Sequence, residues 1–307
     1  MDAGPIARPF TAQQERRRRV VGIALMCGAV LCFAGLDACA KWLNRSVDPM
    51  VTVWARYMAA VLVVSAVLNP ITVPGLLRTR RPWLQAGRSA LVLVSTTLNF
   101  FALQYLQLSE TVAIMFATPL LVALFAGPML GEWIGPRRMA AIGVGFVGVL
   151  IVTRPGLGGT HPAALLCVIA AVCYAFYGIS TRILASYDSS ATTMFYSGIA
   201  GAVLITPVLP LFWTASPSAL AWFVMLIMGA FGALGHWLLI LAHARAPAAL
   251  LAPFIYTQLL WMVGLGYLVF GDLPDRWTLI GGSVVIASGL YLLYREKVRK
   301  VETKVVA

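Results

Sequence analysis

Charge is what this sequence has least of. Asp, Glu, Lys and Arg make up 11% of its 307 residues, against about a quarter in ordinary soluble domains. So few charges cannot cover a water-soluble surface of this size, and the 60% hydrophobic content and mean hydropathy of +0.86 exclude a soluble domain. Cysteine is also sparse. The five, Cys27, Cys32, Cys39, Cys167 and Cys173, lie inside apolar runs and form no C-x-x-C pair, so they read as small buried hydrophobes and not as a disulfide or metal framework. An H-E-x-x-H helix and a serine beside a credible base are missing. Gly271-Asp272 lacks the preceding residues of an intramembrane aspartyl protease. An enzyme is therefore not expected, nor a cofactor or metal. The loops and tails are too short for a signalling or docking domain.

What is present is long apolar runs. A membrane-spanning helix needs about 20 mainly apolar residues, and ten such segments can be laid down: 20–43, 49–69, 87–107, 109–130, 136–153, 162–182, 189–212, 218–243, 247–270 and 275–294. Prolines such as Pro49, Pro82, Pro136 and Pro274 fall at segment ends, where a missing backbone donor does least harm. The net charge of +12 would suit nucleic acid, but its placement excludes that partner. With ten spans and a cytoplasmic N-terminus, Arg16 to Arg19, Arg78, Arg80, Arg81, Arg88, Arg137, Arg138, Arg182, Arg245 and the C-terminal basic residues all face the cytoplasm. Lys41, Arg45, Arg154 and Arg276 fall on the other side. This is a positive-inside bias, and Trp42, Trp83, Trp133, Trp213, Trp222 and Trp277 near the segment ends form the matching aromatic belts. A cleaved signal peptide is the rival reading of the N-terminus. The first apolar run is too long for a signal h-region.

The chain repeats itself. Leu31-Cys32-Phe33-Ala34 recurs as Val172-Cys173-Tyr174-Ala175, Asp48 as Asp188, Leu130-Gly131-Glu132 as Phe270-Gly271-Asp272, and Gly148 as Gly289, always about 140 residues on. Five spans per unit is an odd number, so the second unit enters the membrane from the opposite face. Inverted repeats of this kind place a substrate site near the midplane between units that rock. The expected fold is therefore an all-α membrane protein of ten transmembrane helices in two inverted five-helix repeats. It comprises a basic tail 1–19, a first unit 20–155, a second unit 162–294 and a basic tail 295–307, with both termini cytoplasmic. The small residues of Gly143-x-Gly145-x-x-Gly148 and Gly281-Gly282 read as close helix packing and not as a phosphate loop.

Glu110 through Gly156, with Thr118-Pro119, Gly131-Glu132 and Arg154-Pro155-Gly156, resembles the EamA unit of the drug/metabolite transporter superfamily. Pro253-Phe254-x-Tyr256-x-Gln258-Leu259-x-Trp261 before Phe270-Gly271-Asp272 resembles its second copy. The resemblance implies a permease of the bacterial inner membrane that moves a small polar metabolite by alternating access. The Asp37, Lys41 and Arg56 pattern is similar to that of a branch with riboflavin and S-adenosylmethionine carriers and metallophore exporters. Riboflavin-like vitamins and exported amino-acid-like metabolites or metallophores are thus the alternative cargoes it implies.

Candidate site residues follow from charge in apolar surroundings, which usually faces a bundle interior or a water-filled cavity. Asp37 and Lys41 lie one turn apart in the first segment, Arg56 lies about 10 Å into the second at 1.5 Å per residue, and Glu110 stands at the mouth of the fourth. As an outer vestibule, Arg56 and Lys41 would meet an anionic or polar substrate while Asp37 or Glu110 took up a proton or cation. The structural alternative pairs Asp37 with Lys41 at i,i+4. In the second unit Gly178, Arg182, Tyr196 and Leu250 stand at the matching positions, so the cluster belongs to one unit only. Asn99, His236, Tyr256, Gln258 and Trp261 complete the candidates. The expected partners are a small-molecule substrate, the bilayer and a coupling proton or cation, with oligomeric state left open.

Overall fold

The computed structural model describes residues 12–67, 77–131, 133, 135–155, 161–214 and 216–306. The tail 1–11, Glu132, Gly156 and the last residue lie outside them. Every regular element among the described residues is helical: α1 (Ala12–Leu43), α2 (Pro49–Val67), α3 (Pro82–Ala102), α4 (Leu108–Met115), α5 (Thr118–Leu130), α6 (Pro136–Thr153), α7 (Ala164–Leu184), α8 (Ser190–Ile205), α9 (Ala219–His243), α10 (Ala248–Ile255), α11 (Gln258–Leu265) and α12 (Arg276–Val306). A 3₁₀ turn, Leu209–Leu211, follows α8, and a π turn, Gly266–Phe270, ends α11.

The helix ends are written in the sequence. Pro49, Pro82 and Pro136 open α2, α3 and α6, where an N–H would have no intrahelical acceptor. The hydroxyls of Ser189 and Ser218 accept from the amides of Thr192 and Ala221 and so cap α8 and α9. Gly131 and Gly271 end α5 and the π turn at φ 73° and 72°, a conformation that a Cβ disfavours.

Seven stretches among the described residues are long and apolar enough to cross a membrane: 13–43, 108–130, 136–153, 164–184, 219–243, 250–270 and 276–295. The second joins α4 to α5, and the sixth joins α10, α11 and the π turn. Three of the expected segments, those of α2, α3 and α8, are helical but fall outside these seven. Helix α3 carries Gln85, Arg88, Ser89, Ser95 and Thr96 on its buried face, and α8 has 16 residues. Large apolar side chains point outward, Leu226 at 65% and Leu268 at 79% exposure. Helices that are apolar on their outer as well as inner faces belong in lipid, and the molecule is a multi-pass membrane protein. Helix α1 already begins at Ala12 and α12 runs on to Val306, so the described parts of both tails are helical.

Packing pairs the helices in a regular way. Helix α1 packs on α9 as α3 does on α7, α2 on α9 as α3 does on α8, and α2 meets α8 while α6 meets α12. Close approach comes from glycine: a methyl on Gly148 would lie 2.8 Å from the Gly281 carbonyl oxygen, and one on Gly281 2.6 Å from that of Gly148. The expected small-residue stripe is narrower than its pattern, because Gly143 faces open space.

Candidate functional site

A cavity of about 290 Å³ lies between α2, α3, α7, α8 and α9. Of the nine candidate residues, Arg56 and His236 line it. The Arg56 side chain donates from Nη1 to the Thr96 hydroxyl at 2.6 Å, and its guanidinium carbon lies 5.4 Å and 5.7 Å from the Tyr57 and Phe100 ring centres. The guanidinium also stands in hydrogen-bonding contact with the Tyr57 side chain. In His236, Nδ1 lies 2.8 Å from the Gly232 carbonyl, which can only accept. Nδ1 therefore carries the proton, and the neutral ring presents Nε2 as an acceptor. The Phe33 ring packs edge-on against it at 5.1 Å.

Arg88 was read as a cytoplasmic residue and is instead 2% exposed in the cavity wall. It donates to the Thr181 hydroxyl from Nε (2.8 Å), to the Thr193 carbonyl and Ser197 hydroxyl from Nη1 (3.1 and 2.8 Å), and to the Tyr177 hydroxyl from Nη2 (3.3 Å). Its guanidinium also stacks over the Tyr177 ring at 4.7 Å. One side chain of α3 thus ties together α7 and α8. At the same end, Asp188 in the α7–α8 turn accepts from the Thr79 hydroxyl, the Arg80 amide and the Gln85 side chain. Burial pushes the Asp188 carboxyl up, but those three bonds prevail and hold it below the ordinary 3.8.

The opposite end of the bundle is closed by ion pairs. Lys41 does not pair with Asp37. Its Nζ lies 2.6 Å from Asp272 Oδ2 and donates to the Leu106 carbonyl at 3.0 Å, because the left-handed Gly271 turns the chain so that Asp272 leaves the helix end facing α1. Arg154 pairs with Asp275 at 2.6 Å. It holds φ 40°, the described non-glycine residue with positive φ, a conformation costing roughly 1–2 kcal/mol. Asp275 also caps α12 by accepting from the Thr278 amide. Burial raises its carboxyl, and this cap together with Arg154 brings it below the ordinary 3.8. Glu110 accepts from the Gln107 amide in a capping box at the start of α4, within electrostatic reach of Lys41, Arg154 and Asp275.

Asp37 stands between these two regions. It lies wholly within the bundle yet keeps part of its surface open, so its carboxylate faces internal space. Among the described residues it has no hydrogen bond or ion pair, and Arg56 is the cation whose field reaches it. Asn99 accepts a weak contact from the Cys167 thiol at 3.9 Å. Tyr256 packs its ring against Phe116 at 4.9 Å, Gln258 opens α11, and Trp261 is 38% exposed on α11. The structure therefore brings Arg56 and His236 to the cavity and Lys41 and Glu110 to the opposite end, leaves Asp37 between them, and places Asn99, Tyr256, Gln258 and Trp261 away from both.

A helical bundle with ion pairs at one end and, between its helices, a largely apolar cavity that holds two arginines has the form of a membrane carrier. A model of the EamA-like transporter family matches residues 20–154 and again 161–295. The chain belongs to the EamA-like transporter family. Over 280 residues it is 27% identical to an S-adenosylmethionine uptake transporter of Rickettsia bellii, covering 90% of this chain and 94% of that protein. Over 283 residues it is 28% identical to a riboflavin transporter of Brucella anthropi, covering 88% and 98%. A crystal structure at 19% identity covers 92% of this chain and 98% of its own with a TM-score of 0.64, a likeness of fold alone. The protein is a small-metabolite membrane transporter.

Proposed function

We propose that the chain is an inner-membrane carrier of a small polar metabolite, built as ten spans in two inverted units, 20–155 and 162–294, that expose one site alternately to each face. The observation that carries this reading is the cavity, walled by α2 and α3 of the first unit and by α7, α8 and α9 of the second. Inversion is supported by the packing: under exchange of the units the α1–α9 pair becomes α7–α3, α2–α9 becomes α8–α3, and α2–α8 and α6–α12 map onto themselves. The two helix breaks, at Phe116-Ala117 and Tyr256-Thr257, also fall at matching positions, with α4 and α10 eight residues long in each case.

With both termini cytoplasmic, the cavity opens toward the cytoplasm and the Lys41–Asp272 and Arg154–Asp275 pairs close the periplasmic side. Asp37, beside Arg56 and free of hydrogen bonds, is the residue we assign to proton coupling. Comparing metabolite uptake and retention in cells with and without the protein tests the function, with riboflavin and S-adenosylmethionine as first compounds because the relatives carry those names. No difference for any metabolite would overturn the carrier reading.

A further inference from the structure

The charges of the cavity narrow the cargo. This argument rests on the cavity being the carrier's substrate site. Two guanidinium groups, those of Arg56 and Arg88, stand in its wall, and every hydrogen-bond partner of either among the described residues is neutral. Two cations outside the cavity are paired with carboxylates. Lys41 and Arg154 each meet a carboxylate at 2.6 Å at the closed end. Asp188 lines the cavity too, but it accepts from Thr79, Arg80 and Gln85 and forms no ion pair with Arg88. Asp37 reaches Arg56 through space without bonding it. Among the described residues neither guanidinium therefore has a carboxylate at ion-pair distance, and buried charges are ordinarily paired.

We propose that the missing ion-pair partner of Arg56 is the cargo's own: a small organic anion, bearing a carboxylate or phosphate that the Arg56 guanidinium binds from within the cavity. Arg88, whose donors are engaged by α7 and α8, supplies the field and not the contact. Guanidinium forks suit planar oxyanions, which they grip with two parallel bonds. The remaining walls fit a planar body with a hydrogen-bond donor. The Tyr57 ring flanks Arg56, the Tyr177 ring flanks Arg88, and His236, whose Nε2 is an acceptor in the neutral ring, stands in the same wall. A volume of about 290 Å³ sits at the small end of ligand sites, roughly 300–1,000 Å³, which suits a small metabolite.

An isosteric pair tests this on the purified full-length protein in lipid nanodiscs. Nicotinate and nicotinamide share one ring and differ in carrying a carboxylate or a neutral amide. Nicotinate is expected to raise the thermal unfolding midpoint saturably with an affinity at least tenfold above that of nicotinamide. Arg56→Gln should abolish the difference and Arg56→Lys should keep part of it. Equal affinities, a preference for nicotinamide, or binding by neither would overturn the anion assignment. The cellular metabolite comparison separates the two levels. If neutral or cationic compounds change with the protein present, the carrier stands and the anionic cargo falls.

Discussion

Arg56 and Asp37 sit next to each other in charge but differ in what their loss should do. Removing the guanidinium deletes charge-assisted hydrogen bonds of roughly 1.5–3 kcal/mol, so Arg56→Ala should weaken transport about tenfold to a hundredfold while the protein still inserts. A variant that failed to accumulate yet kept full activity per molecule would show Arg56 to be structural. Asp37→Asn should leave cargo exchange in vesicles intact and lose the response to an imposed pH gradient. Equal gradient-driven accumulation by variant and wild type would exclude it as the coupling residue. Asp188 predicts a pH effect of its own. Its carboxyl is held below 3.8 when docked, so its contribution to holding the α2–α3 link on the α7–α8 turn is complete above 3.8 and disappears as pH falls through the lower docked value. Hydrogen exchange at the Arg80 amide should rise there, and Asp188→Asn should remove that dependence. Arg56 and His236 were legible because they interrupt apolar runs. Arg88 was not: it follows Arg78, Arg80 and Arg81 closely enough to read as loop charge, and its acceptors Thr181, Thr193 and Ser197 lie about a hundred residues away.

Among the elements, α6 and α12 approach most closely through glycine. Gly148→Leu should push them apart and cost about 1–3 kcal/mol, as overpacking does, seen as a lower thermal midpoint. Gly143→Leu, in open space by the same measure, should leave the midpoint unchanged. The sequence placed both glycines on one stripe, because spacing gives a helix face and not its neighbour's position. The break within the fourth segment was legible from Pro119, whose ring nitrogen cannot donate to the Met115 carbonyl. The break at Tyr256-Thr257 follows Pro253 instead and is closed by short-range bonds, including that from the Thr257 hydroxyl to the Phe254 carbonyl at 2.6 Å. The Lys41–Asp272 pair, spanning 231 residues, is a fact of tertiary packing that the i,i+4 rule could not supply.

For the whole molecule, the ten-span reading requires both ends on one face. Reporter fusions after Ala307 should be active in the cytoplasm, and activity restricted to the periplasm would remove the inverted-repeat argument. If the ion pairs at the closed end are the periplasmic seal, Lys41→Asp and Asp272→Lys should each slow transport and their combination should restore much of it. One contact bears on how such a cycle would be watched. Phe116 and Tyr256 occupy the same place in their two units and touch each other across 4.9 Å, so the axis that would exchange the units runs between them. Exchange of the units carries each of these two residues onto the other, so if the inward-open and outward-open states are related by that exchange, the pair has the same separation in both. Spin or fluorescent labels at Phe116 and Tyr256 should therefore report one distance in the two end states, and two different end-state distances would count against exchange of the units as the basis of the cycle.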